Sequence, residues 1–109
     1  MNRSKMVAEV QAIHCARMDL LTSKGADYAH DEDALANFKR MRTICAQLDV
    51  NPARSPADCA LFFALLKLDR WCNLRRKGTE PKHESVQDTV KDLHNYIDLA
   101  YLCSLEKEE

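Results

Sequence analysis

The most apolar stretch of the chain, Cys59 to Leu74, reads CALFFALLKLDRWCNL, and a lysine stands inside it. At ~100° per residue, Ala60, Phe63, Trp71 and Leu74 share one helical stripe with Lys67 in its middle. Leu61, Leu65, Leu68 and Cys72 form a second stripe, so this helix is expected at the centre of its domain. The same period recurs along the chain. Met6, Val10, Ile13 and Leu20/Leu21 mark the inward side of a helix over about 4–22. Leu35, Phe38, Met41, Cys45 and Leu48 mark a second over about 31–49, and Val86, Val90, Leu93, Ile97 and Ala100 a fourth over about 85–106. No segment alternates with period two. The pattern predicts an all-α fold: one four-helix, bundle-like domain over 1–109, with the third helix, 55–77, central.

Punctuation supports these bounds. Ser23–His30, with Gly25, reads as a loop, and Asp31 or Asp33 can cap helix 2. Asn51-Pro52 ends that helix. Ser55 can cap helix 3, Pro56 suits its first position, and Asp58 its first turn. Arg75, Arg76 and Lys77 match the negative end of helix 3, and Gly78 stops it. Ser85 and Asp88 form a variant capping box for helix 4.

Charge changes the picture locally. The formal net charge is -1, so no global field draws the chain to nucleic acid or membrane, and neither is expected as a partner. Residues 65–83 nevertheless hold six bases against two acids, and residues 84–109 seven acids against two bases. Helices 3 and 4 thus carry opposite signs. The five cysteines lack any zinc spacing and fall in or beside apolar stripes, which implies reduced, buried thiols. With no long apolar run in MNRSKMVAEV, no leader or membrane span is expected, and the compartment implied is the cytoplasm. Past Asn95 the acidic side of helix 4 carries Leu99, Leu102 and Cys103. A second chain is the simplest cover, so a homo-oligomer, most simply a dimer, is expected.

Two sets of residues carry candidate chemistry. Lys67 and Arg70 are adjacent cations on an apolar helix; they either snorkel and pair with helix 4 or hold an anion. Glu84, Asp88 and Asp92 stand at i, i+4, i+8, with Asn95 completing the row. That row is either an ordinary solvated face or a set of oxygen ligands for magnesium. Phe63 and Trp71 read as core before they read as base-stacking platforms. His14 and His94 have no partner at metal spacing, and the run His30-Asp31-Glu32-Asp33 reads as a solvated helix start with weak metal potential.

The motifs Lys24-Gly-Ala-Asp27-Tyr28, Asn37-Phe38, Lys67-Leu-Asp69-Arg70 and Glu84-Ser85-x-x-Asp88-x-x-x-Asp92-Leu93-x-Asn95-Tyr96 occur in this order. The set resembles the small phage and bacterial nucleotide modification associated domain family. That family is itself similar to the all-α MazG-like nucleoside triphosphate pyrophosphohydrolases. The resemblance covers roughly Lys24 to Tyr101, and the stretch from Glu84 is its most specific part. It implies an oligomeric MazG-like fold, a nucleotide ligand, and a phage or prophage setting in a bacterial host cytoplasm. Lys67 and Arg70 would hold phosphates. Asp88 and Asp92, with Glu84 or Asn95, would hold magnesium or orient those cations. A loop bearing Lys24, Asp27 and Tyr28 would close over base or sugar. MazG-like hydrolases pair E-x-x-E on one helix with E-x-x-D on another; here helix 3 offers Lys67 and Arg70 instead of the glutamates. Three readings follow: a magnesium-dependent nucleoside triphosphate pyrophosphohydrolase, a non-catalytic sponge for a nucleotide signal in phage anti-defence, or a structural oligomer or protein inhibitor.

Overall fold

The computed structural model describes residues 1–28, 33–78, 81 and 84–106. It contains four helices, α1 (Arg3–Tyr28), α2 (Ala36–Leu48), α3 (Pro56–Lys77) and α4 (Val86–Leu105), and no strand among the described residues. The all-α expectation holds, and α3 is the hub: α4 packs along it, while α1 and α2 each touch it.

The ends of α3 and α4 follow local chemistry. Ser55 Oγ accepts from the Asp58 N–H at 3.1 Å, and Pro56 opens α3. Gly78 takes the left-handed conformation that an L side chain resists (φ 66°), and its N–H donates to the Leu74 carbonyl. Ser85 Oγ accepts from the Asp88 N–H at 3.1 Å to start α4.

Elsewhere the structure corrects the sequence reading. The segment expected as a loop from Ser23 is helical as far as Tyr28, so α1 runs through Gly25. Helix 2 begins at Ala36, with Asp33 Oδ1 accepting from the Leu35 N–H at 3.1 Å; Asp31, His30 and Glu32 lie outside the described residues. Met6, Val10, Ile13, Leu20 and Leu21, expected inward, are exposed; residues 1–22 touch nothing that buries them. At α2, Met41 is buried as expected, but Leu35, Phe38 and Leu48 face solvent and Asn37 is buried in their place. In α4, Ala100 is buried as expected, but Ile97 is exposed and Thr89 is buried. Cys15 and Cys72 are exposed thiols, not core ones.

The reason is common to these cases. Periodicity locates an apolar face but cannot say which face meets α3. Here α3 presents Asp69, Arg70 and Asn73, all buried, beside Ala64 and Leu74. The elements packed against it answer with polar groups. No helix among the described residues is long and apolar enough to cross a membrane.

Candidate functional site

The polar interior begins with an unfilled requirement. The last carbonyls of a helix have no partner inside it, and that end carries partial negative charge. At the end of α1 those carbonyls are taken up by side chains from other helices. Lys77 Nζ donates to Ala26 O at 2.7 Å, Asn73 Nδ2 to Asp27 O at 2.9 Å, and Arg40 Nη2 to Tyr28 O at 2.9 Å. Arg40 also grips Asp69 through Nε at 2.6 Å and Nη2 at 3.0 Å, a two-point contact tying α2 to α3.

Arg70 occupies the centre. Its side chain is fully buried, as is that of Asp27, and Nη2 lies 2.6 Å from Asp27 Oδ2. It donates further to Thr89 Oγ1 and to the Glu84 carbonyl, so one guanidinium joins α1, α3 and α4. Its Nε–H is buried without a hydrogen-bond partner. Thr89 Oγ1 in turn lies 3.1 Å from Glu84 Oε1.

Lys67 sits one turn earlier on α3, nearer the surface. Its ammonium lies 3.2 Å from Glu84 Oε1 and 3.0 Å from Asp92 Oδ2; the side chains are 15 %, 25 % and 43 % exposed respectively. Burial pushes the lysine pKa down, but the hydrogen bonds that Lys67 donates to Asp92 and Glu84 outweigh it and hold Lys67 above the ordinary lysine value. Tyr28 is buried beside this group. Desolvation raises its phenol pKa, opposed in part by the positive charges of Lys67 and Arg70. One turn back from Lys67, Phe63 stacks on Tyr96 of α4 with centroids 5.3 Å apart and planes 20° apart, and Phe63 stays 41 % exposed. Contrary to the core reading of Phe63, α3 and α4 therefore present an open aromatic step next to an ammonium.

Of the candidates from sequence, the fold brings together Asp27, Tyr28, Lys67, Arg70, Glu84 and Asp92. Asp27 and Tyr28 belong to a helix, not to the expected loop. Arg70 faces the interior, away from any surface ligand. Lys24, Asp88 and Asn95 are exposed. Arg40, Asn73 and Thr89 went unassigned in the sequence, and Lys77 was read only as a cation at the end of helix 3; a buried asparagine within an apolar helix is visible there only as an interruption of a stripe.

The carboxylates test the magnesium expectation. Glu84 and Asp92 share one ammonium, and no group of three His, Cys, Asp or Glu that could hold a metal occurs among the described residues. Two carboxylates fit a magnesium ion that arrives on phosphate oxygens, not a dedicated protein cage. A separate open concavity of about 410 Å³ follows α2 past Lys39, Arg42 and Gln47, and none of the clustered residues lines it. Comparison with known protein families, curated proteins and solved structures finds no match.

Proposed function

We propose that this chain is a nucleotide-binding protein that holds its ligand on the α3–α4 face around Lys67. The observation that supports the reading is the half-exposed Phe63–Tyr96 stack one helical turn from the Lys67–Asp92 pair. A stacking surface beside an exchangeable ammonium matches a base with phosphates. The base lies on Phe63. A phosphate displaces Asp92 or Glu84 from Lys67. The displaced carboxylates, an excess of one negative charge over Lys67, accept a divalent cation carried by the phosphates, which would neutralise charge there. Arg70 and Asp27 act from below: they fix the spacing of α1, α3 and α4 and so position Lys67 and Glu84.

Binding without turnover is the favoured form. The α3 positions that would supply a second acidic pair hold Lys67 and Arg70, so the acids of α4 stand alone. This is the arrangement of a sponge more than of a hydrolase.

The test is a thermal-shift screen with nucleoside mono-, di- and triphosphates and cyclic dinucleotides, with and without magnesium. A true ligand at 100 times its Kd adds about 2.7 kcal/mol of stability. Phe63→Ala should weaken nucleotide binding by about 1–3 kcal/mol while leaving inorganic pyrophosphate binding unchanged. Lys67→Met should abolish both. A flat response across the whole panel refutes the proposal, and release of pyrophosphate from a bound triphosphate refutes the sponge form.

A further inference from the structure

Most of the N-terminal helix is left unpacked within its own subunit. Only its last turn is docked, through Ala26, Asp27 and Tyr28, and residues 1–22 are exposed throughout. Yet its side chains are not those of a solvated helix. Met6, Val10, Ile13, Leu20 and Leu21 lie within one broad face, each about half exposed or more. Helices in proteins draw most of their stability from packing an apolar face, so this uncovered one points to a partner.

The accessible surface says how much is missing. It amounts to 8234 Å² for a 12.5 kDa chain, against roughly 6,200 Å² expected of a compact monomer of that mass. The excess of roughly 2,000 Å² exceeds the ~800 Å² per partner of a standard interface. A matching surface exists on the same chain. The outer face of α4 exposes Ile97, Tyr101, Leu102 and Leu105, and α1 and α4 are not packed together within the subunit.

Charge sets the match. Arg17 falls in the middle of the apolar face of α1, between Val10 and Ile13 in projection. Asp98 falls in the middle of the exposed face of α4, between Leu105 and Leu102. Both are exposed within their own subunit. We infer that two copies of this chain form a two-fold dimer in which α1 of each lies along α4 of the other, with Arg17 of one paired to Asp98 of its partner. The contact is isologous: each copy gives one α1 and receives one. It is independent of any nucleotide.

Light scattering on the ligand-free full chain at tens of micromolar tests it. Wild type should show twice the 12.5 kDa chain mass. Arg17→Asp and Asp98→Arg should each weaken the dimer by about tenfold or more, and the R17D/D98R double variant should recover most of that loss. Both positions are solvent-facing in the subunit, and circular dichroism on each variant should show the helix content kept. Ile13→Glu and Leu102→Glu should dissociate the dimer likewise. A monomeric wild type, as an α1 folded back on its own α4 would give, overturns the inference. So do single charge reversals that leave the dimer intact, and a double variant as weak as the singles.

Discussion

Arg70 shows what a charge does when it is completely enclosed. Its guanidinium satisfies Asp27, Thr89 and a backbone carbonyl at once, reaching three elements that a single ammonium could not span. Arg70→Met strands the Asp27 carboxylate in the interior, and chemical denaturation should show a loss of about 3–5 kcal/mol. Arg70→Lys should recover little of it. Lys67 differs because its partners are partly wet; Lys67→Met should cost only about 1 kcal/mol after solvent screening. The alkaline side of the stability profile belongs to Lys67 and Tyr28. Both have folded pKa values raised above their unfolded ones, so their contributions are complete below about pH 10 and are lost as pH rises through the folded values. The melting temperature should therefore fall above about pH 10, and Tyr28→Phe should make that fall shallower.

At the scale of the element, the bounds of α3 and α4 were legible nearly to the residue, because Ser55, Pro56, Gly78 and Ser85 act through bonds of short sequence span. The end of α1 was not legible. Its carbonyls are satisfied by Lys77, Asn73 and Arg40, which stand 51, 46 and 12 residues away. No local rule foresees a helix crossing Gly25 on the strength of such distant partners. The candidate site was half legible for a related reason. Lys67 announced itself by interrupting a stripe and does meet Asp92, as an ion pair with helix 4 requires. Arg40 and Thr89 looked like ordinary surface residues, and only the packing half-buries the one and encloses the other. Gly25 offers a test of α1. A Cβ built there meets nothing within 4 Å, so Gly25→Ala should raise stability by up to about 1 kcal/mol through helix propensity alone. An unchanged or lowered denaturation midpoint would mean that the glycine serves some other end.

The molecule as a whole is open. Its radius of gyration is 17.5 Å, where a compact chain of this length has about 13 Å, and its extents are 53 × 41 × 25 Å. Buried polar and charged residues (Asp27, Asn37, Asp69, Arg70, Asn73, Thr89) rival the buried apolar ones (Tyr28, Met41, Ala64, Leu74, Ala100). A dimer that hides the faces of α1 and α4 makes stability depend on protomer concentration, so the melting temperature should climb with dilution reversed, from sub-micromolar to hundreds of micromolar. A melting temperature constant over that range would count against assembly.

The reach of α1 has a mechanical side. Its 26 residues are clamped at one end only, and the free 22 extend ~33 Å from that clamp. In a lone subunit this is a lever: a tilt of ~10° at the clamp sweeps the tip through ~6 Å, given that length. Seated on a second subunit, the same helix is held at both ends and becomes a strut. Two antisymmetric struts then fix the separation and bearing of the two Lys67 surfaces, so that whatever loosens the Asp27–Arg70 clamp in one subunit is felt as a change of span by the other.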